Sequence, residues 1–393
     1  MTKKKVVIIH WGSSAYDSLS ALLTLAGREI KDAYEVVDIA FETEGWEQTL
    51  KQTINGGQCA FALAMSGVGL HIQLPDSTML WDAAKIPFFT WYCDHPAYFP
   101  ARHATKSRYA IHGYVFPDHA RYNRDHLNPN GAAYSVHYGI PSRANFCGEP
   151  LPLAERNGRI LFAKSGGDPR AIRKRWRETL TRSLVAILDA ATEALAGQPT
   201  AAFAGTIQAI ADEFGLHLAP NGEMLLLLLR EADNYLRAQR STLLAEAIKP
   251  YPVDVVGRNW DHVDWSGATA RLGEPIPFAE LAKRLPTYLG TLSLNPLIEH
   301  SAHDRVFCAL ATRTVPVSDT NPFIKANFPT LDAYGFRLNP DSVREAIEAL
   351  LANPQRGLDA TEAAFVVSLP RLSLRRSMAQ IEEFCALHPL NSL

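Results

Sequence analysis

The chain predicts an α/β protein made of two similar halves, with a helical insertion in the second half and a closing helix at the C-terminus. Two observations predict this. Short runs that are apolar throughout end in polar or glycine-containing loops and are followed by helix-length segments, the pattern of parallel strands covered on both faces. That alternation runs to about residue 140, stops, and begins afresh at Arg159. A third observation places the insertion: from Gly197 to Lys249 the chain is helical in character and contains no strand candidate.

In the first half, Lys5-Val-Val-Ile-Ile9 is a β-branched run that opens into Trp11-Gly12-Ser13-Ser14, and Ser18 to Gly27 then has helical apolar spacing. Further strands are expected at Tyr34–Ala40, Ala60–Met65, Ile86–Tyr92, Gly113–Phe116 and Ala133–His137. In the second half Arg159–Ala163 begins the new sheet, followed by Lys164-Ser-Gly-Gly167 and a basic helix over Ala171–Leu195. Helices over Thr200–Phe214 and Gly222–Ala247 fill the insertion. Strands are then expected at Val253–Val256, Ala270–Leu272, Tyr288–Leu294 and Thr314–Ser318, with helices at Phe278–Leu285, His303–Thr312 and Asp341–Leu351. Both halves read as Rossmann-like domains, 1–150 and 151–370, and an amphipathic helix within 371–393 is placed to cross back to the first.

At 393 residues, 47% apolar and 20% charged, the chain is large enough for two domains and is neither disordered nor low in complexity. Thirty-nine basic against 41 acidic residues leave a formal charge of −2, so there is no broad pull on nucleic acid, and any phosphate binding is local. Five widely spaced cysteines without a CxxC pair give neither a disulfide framework nor a cysteine zinc site, which suits a reducing cytoplasm. The longest apolar run, Cys59–Met65, is far short of the roughly 20 residues that span a bilayer. Met1-Thr-Lys-Lys-Lys5 makes a poor signal peptide but leaves room for peripheral contact with an anionic membrane.

Three constellations carry chemistry. Lys164-Ser-Gly-Gly-Asp-Pro169 places glycines between a strand and a helix, where backbone N–H groups, the helix dipole and the charges of Lys164, Arg170 and Arg173 suit an oxyanion, although no GxxxxGK[ST] is present. Leu294–Ala311 ends a strand at Asn295-Pro296 and carries Glu299, His300 and His303 on a polar loop. It then opens a helix near His303, with Arg305 in the first turn, which suits a diphosphate. Trp91-Tyr-Cys-Asp-His-Pro-Ala-Tyr-Phe99 closes a strand with Asp94 and His95, a carboxylate beside an imidazole, for proton abstraction. Trp91 and Tyr98 there, with Gly12 and Ser13, are the acceptor-side candidates. The alternative for these aromatics is packing. His95, His103, His112, His119, His126 and His137 show no HxH, HxxxH or HExxH spacing, so no metal site is expected and most are read as surface or loop histidines.

His303-Asp-Arg-Val-Phe307, Ala309-Leu-Ala311 and Val315-Pro-Val-Ser-Asp319 with Thr320-Asn-Pro322 resemble the C-terminal half of GT-B glycosyltransferases, particularly the spore-maturation-type and family-1-like bacterial group. The likeness covers about Val253–Pro354. It implies a GT-B-like pair of domains and a nucleotide-sugar donor used as substrate, with no cofactor and no metal ion. It also implies a glycan, protein or lipid-linked acceptor and no nucleic acid. Many retaining members carry glutamates where this chain has His300 and Cys308, and a glycine where it has Arg313, a departure that points to inversion. A non-catalytic glycan- or nucleotide-binding module and a sugar-nucleotide epimerase are the alternatives on this architecture.

Overall fold

The computed structural model describes residues 3–12, 18–129, 131–196 and 203–391. They form two compact units: Met1–Gly148 with Pro277–Ala279 and Leu369–Leu393, and Glu149–Ile276 with Glu280–Ser368.

The first unit is built on a six-stranded sheet: β1 (Lys5–His10), β2 (Glu35–Ala40), β3 (Cys59–Met65), β4 (Phe88–Tyr92), β5 (Ala110–Tyr114) and β6 (Ala132–Ser135), in spatial order β2-β1-β3-β4-β5-β6. Every neighbouring pair is parallel. Val6 to Ile9, Phe61 to Met65 and the whole of β4 and β5 are buried, as an apolar run covered on both faces requires. One face packs Val7, Ile9, Ala62 and Ala64 against Leu50, Leu70, Trp81 and Phe88. The C-terminal helix Leu374–Asn391 belongs to this unit, joined at Ile140, which exchanges backbone hydrogen bonds with Leu372 and Leu374 at 2.6 and 2.7 Å, and by Phe384 stacked on Tyr134.

The second unit has β7 (Ile160–Ala163), β8 (Val253–Val256), β9 (Arg271–Gly273), β10 (Gly290–Ser293), β11 (Val315–Asp319) and β12 (Gly335–Phe336), in order β12-β11-β10-β7-β8-β9 and again parallel. The strand order reverses between β7 and β10, so the loops after these strands diverge and leave the crevice that open α/β sheets use for ligands. Among the described residues, four helices occupy the β7-to-β8 crossover: Pro169–Thr179, Arg182–Ala196, Phe203–Glu213 and Glu223–Ile248.

The expected single helix over Ala171–Leu195 is two, broken where Leu180 turns extended (φ −113°, ψ 159°). Of the helix expected over Thr200–Phe214, Phe203–Glu213 is helical, and 200–202 lie outside the described residues. The fifth and sixth strands lie earlier than expected, because Val115-Phe116 and Val136-His137 continue past the sheet as buried or half-buried loop. Within the Met224–Leu229 run, Leu225, Leu226, Leu228 and Leu229 are buried while Met224 is exposed. Among the described residues no helix is long and apolar enough to cross a membrane.

Candidate functional site

The crevice of the second unit is assembled from three places. Lys164 follows β7, its N–H donating to Val256 O at 3.0 Å and its carbonyl accepting from Trp260 Nε1 at 2.9 Å. Asn295 to Arg305 follow β10. Asp233, Arg237 and Arg240 project from the long helix Glu223–Ile248, where a spacing of four then three residues puts them on one face.

Asn295 is the clamp that aims the second of these. Its N–H donates to Asp319 Oδ1 at 2.7 Å. Its amide donates to Asp319 Oδ1 and O, both at 2.9 Å, and to Ser318 Oγ at 3.1 Å, and its Oδ1 accepts from His303 N at 2.8 Å. With its N–H and both side-chain amide atoms engaged and 3% exposure, Asn295 positions the helix Asp304–Ala311 and has no side-chain atom turned to a ligand, against the expectation that it binds donor directly. Asn321 does the same from the other side, donating to Ile298 O and Ser301 O at 3.2 and 2.8 Å. Glu299 is held through its carbonyl, which accepts from Phe323 N at 3.1 Å, and the His300 side chain is exposed.

At the helix start His303 Nδ1 meets Asp304 Oδ1. A proton shared there makes Nδ1 a donor, so its 3.4 Å approach to Arg305 N is contact without a hydrogen bond. Burial lowers the His303 pKa and keeps the ring neutral. Burial alone would raise the Asp304 carboxyl, but the His303 hydrogen bond and the Arg305 charge hold it well below the ordinary range.

The cations outnumber the carboxylates. Arg240 pairs with Asp319 at 2.5 Å, both side chains being less than a tenth exposed, and Arg237 pairs with Asp233 at 2.7 Å. Among the described residues, neither Lys164 nor Arg305 has a carboxylate in ion-pair contact. Arg305 Nη1 and Arg240 Nε are buried without any hydrogen-bond partner. Burial, with the charges of Arg305, Arg237 and Arg240, pushes the Lys164 ammonium down to about 7, against a smaller opposing effect of Asp233. A buried guanidinium N–H left unpaired is costly, and an anionic oxygen would satisfy it.

The glycine turn is used differently from the expectation. Gly166 N–H is spent on Arg258 O at 2.8 Å, and a Cβ on Gly166 would come within 2.6 Å of Asn259 O and of the Trp260 ring. Gly166 is therefore required for packing against the loop after β8 and offers no free donor. Gly167 abuts Ala238, and its carbonyl accepts from Thr242 Oγ1 at 3.5 Å. Arg170 is also misplaced by the sequence: its N–H and guanidinium both turn to the helix cap Asp168, at 2.9 and 3.4 Å, and its side chain is 79% exposed. Arg173 ties its helix to Asp189 at 2.6 Å.

In the first unit Trp91 is fully buried, its indole donating to Val136 O at 2.8 Å and packing on Tyr138, so it is core and offers no face to a sugar. His95 is buried, and its Nδ1 accepts from Ala97 N at 3.2 Å as the cap of a short helical turn. A neutral ring accepting at Nδ1 carries its proton on Nε2, which suits a donor rather than the base expected of it. Asp94 and Tyr98 are half-buried. Gly12 lies under the Glu42 side chain. Ser13 falls outside the described residues. The exposed aromatics here are Trp11, edge-on to Phe41, and Phe99, with the Arg102 guanidinium 4.3 Å from its ring centre. His103, His112 and His119, read with most of the histidines as surface or loop residues, are buried like His95, and their rings form a shared aromatic layer with Tyr92, Tyr114 and Tyr122. Among the described residues no three His, Cys, Asp or Glu side chains gather as a metal site.

Sequence reasoning missed Asp233, Arg237, Arg240 and the role of Asp319. A signal existed: three charged residues on one face of a helix that is otherwise apolar over most of its length.

No protein-family model matches the chain, and no curated protein matches it in sequence. Among solved structures, sucrose-phosphate synthase from Thermosynechococcus elongatus is 8% identical, with 99% of this chain and 100% of that chain covered and a TM-score of 0.52. T4 phage BGT in complex with UDP-glucose is also 8% identical, over 98% of this chain and 99% of that one, TM-score 0.50. An alpha-glucosyltransferase in complex with UDP and DNA gives 8%, 98%, 100% and 0.51. The two parallel six-stranded sheets with flanking helices are thus the GT-B fold of two Rossmann-like domains.

Proposed function

We propose that the chain is a glycosyltransferase that takes its sugar from a nucleotide-sugar and holds the donor diphosphate in the second unit. The observation that carries this is the buried Arg305 Nη1 without a partner at the start of an eight-residue helix, beside Lys164, at the reversal of strand order. Lys164, Arg305 and the first N–H groups of the Asp304–Ala311 helix would take the diphosphate oxygens. Charge that develops on the departing diphosphate meets dipoles and cations already in place, which is how a preorganised site lowers a barrier. The two protein cations would do here what a divalent ion does in metal-dependent transferases, so activity is expected to persist in EDTA. His303, its Nδ1 proton held by Asp304, would present Nε2 toward the same ligand.

The acceptor side belongs to the first unit in this proposal. Asp94 is the candidate base for the acceptor hydroxyl, with inversion at the anomeric carbon. Trp11 and Phe99 are the aromatic surfaces for a glycan, in place of Trp91. The GT-B fold is shared with proteins whose structures hold UDP or UDP-glucose, which supports the donor class.

Calorimetric titration of UDP-, GDP-, dTDP- and ADP-glucose in EDTA tests the donor half. At least one is expected to bind, and Arg305→Gln is expected to weaken it about 10- to 100-fold, the loss of a charge-assisted hydrogen bond. Absence of binding by all four, or binding that Arg305→Gln leaves unchanged, would overturn the proposal.

A further inference from the structure

In the first sheet the strand order reverses at β1, whose neighbours are β2 and β3, so the loops after β1 and β3 part and leave a crevice there. Arg102 is built onto its β3 side. Ser66, the first residue after β3, has φ +53°, and its carbonyl accepts from Arg102 Nη1 at 2.6 Å. Gly67 follows at φ +75°, its N–H donating to Thr90 Oγ1 at 2.7 Å. A Cβ on Gly67 would stand 3.2 Å from Arg102 Cβ and Cδ, so the arginine stem lies across the glycine. The guanidinium carbon sits 4.3 Å from the centre of the Phe99 ring, and the Arg102 carbonyl accepts from Tyr92 OH at 3.3 Å. A long and flexible side chain is thereby held at its stem, at its flat face and at one nitrogen.

Holding Ser66 takes one N–H. Nε and Nη2, the edge of the fork that grips a carboxylate or a phosphate with two parallel hydrogen bonds, have no partner among the described residues, and no carboxylate pairs with Arg102 there. The two loops that frame it are poor in acid. After β3 the first acidic residue is Asp76, whose carboxylate accepts from Thr78 N at 2.9 Å. Between β4 and β5 the one acidic residue is Asp94, the candidate base, against Arg102, Lys106 and Arg108.

We propose that Arg102 binds the acceptor, and that the acceptor carries an oxyanion, a carboxylate or a phosphate, which the Nε–Nη2 edge takes with two hydrogen bonds. This rests on the proposal that the chain transfers a sugar to an acceptor held by the first unit. A neutral glycan needs only the Phe99 and Trp11 surfaces. An arginine fixed at three points with its fork unspent adds selection for charge, and because the fork is oriented before the ligand arrives, little freedom is lost on binding.

The selection is a difference between two forms of one sugar. Against its uncharged form, an anionic acceptor gains a pair of charge-assisted hydrogen bonds at a half-buried guanidinium, which corresponds to an affinity ratio of about tenfold or more at low salt. Lysine at position 102 keeps the charge and the reach to the Ser66 carbonyl but has no fork, so Arg102→Lys separates a two-bond grip from general attraction.

Glucose, glucuronate and glucose 6-phosphate test it, titrated into the full chain labelled with ¹⁵N-arginine. The nucleoside diphosphate of whichever donor binds is present throughout, to keep the anions out of the second unit. The Arg102 Nε–H signal in NMR spectra, identified by its absence from Arg102→Lys, is expected to move with at least one of the two anions and to stay put with glucose at about ten times the concentration. The anion that moves it at the lower concentration names the group. Ligand-observed NMR is expected to show that anion binding Arg102→Lys about tenfold more weakly than the parent. A signal that moves with neither anion, or as readily with glucose, overturns the inference, and so does anion binding that Arg102→Lys leaves at the parent's strength. None of these results touches nucleotide-sugar binding, which is titrated separately, so the donor reading survives them. Absence of binding by every nucleotide-sugar overturns that reading and the acceptor role of Arg102 together.

Discussion

Arg240→Met isolates the buried ion pair on which the site's architecture rests. Arg240 and Asp319 are 7% and 6% exposed in their side chains and meet at 2.5 Å, and the same carboxylate receives the Asn295 N–H and amide that aim the helix Asp304–Ala311. Removing the guanidinium leaves a carboxylate buried with hydrogen-bond donors but no counter-charge. The folded protein has two ways out: to keep the bare charge, or to protonate it. Protonating a carboxyl of ordinary value 3.8 at pH 7 costs about 4 kcal/mol, which caps the penalty at that pH, within the range expected for breaking a buried pair. The cap drops by about 1.4 kcal/mol for each unit the pH is lowered, to roughly 1.6 kcal/mol at pH 5. The sign follows from linkage. Burial already raises the Asp319 value above that of the unfolded chain, and losing Arg240 raises it further. The variant's folded state therefore binds a proton more tightly than the unfolded chain, and its deficit grows as pH rises above about 4. Urea unfolding followed by far-UV circular dichroism at pH 5, 6 and 7, with hydrogen exchange of residues 315–319 to locate the loss, measures it. A deficit below about 1 kcal/mol at pH 7, or one that does not shrink toward pH 5, would refute the reasoning.

Burial holds His112 down at about 4 and His103 down to about 2, both below the 6.5 of an exposed ring, so the stability they permit is fully present above pH 6.5 and is lost as pH falls through that value. Since both ring nitrogens of His112 lack partners, His112→Leu is expected to be near neutral at pH 7 and to gain about 2 kcal/mol over the parent at pH 5. Equal pH-dependence of the two melting curves would sink the idea. Gly166→Ala, whose methyl would meet a backbone oxygen at 2.6 Å, is expected to cost about 1–3 kcal/mol, whereas Gly167→Ala, at 3.4 Å from Ala238, stays within about 0.5; thermal denaturation of both compares them. Arg313 sits at φ +53° at the end of its helix and pairs with Asp359 at 2.7 Å. Arg313→Gly should therefore be more stable than Arg313→Ala by about 1 kcal/mol, both having lost the pair and only glycine having shed the left-handed strain; the reverse order in a urea titration counts against it.

The fold was legible because its strands are short apolar runs, and such runs advertise a sheet covered on both faces regardless of what the helices do. β1, β3, β4 and β7 needed nothing beyond that pattern. Boundaries were less visible where apolar chain continues past the end of the strand, as at Val115-Phe116 after β5, since burial in a loop and burial in a strand ask for the same residues. The break at Leu180 left no mark in periodicity, because Pro169–Thr179 and Arg182–Ala196 are each helical and no glycine or proline stands between them.

The site was legible at one level only. A strand end, a polar loop and a helix start are local features, so Lys164 and the segment around His303 and Arg305 could be picked out from neighbours in sequence. What those residues do depends on partners 24 to 92 positions away. Asn295 looks like a ligand donor until Asp319 takes its amide and N–H. Gly166 looks like an oxyanion turn until Arg258 takes its N–H, and Trp91 looks like a sugar platform until Val136 takes its indole. The converse holds for Arg237 and Arg240, which carry no local motif and enter the site because a long crossover helix lays one face across it. Polar residues in a glycine- or proline-marked loop announce that something polar happens there, and only the long-range hydrogen bonds separate those that hold the loop from those left to meet a ligand. By that criterion the residues proposed to meet the donor shrink to Lys164, His303 and Arg305, fewer than the loops alone suggest.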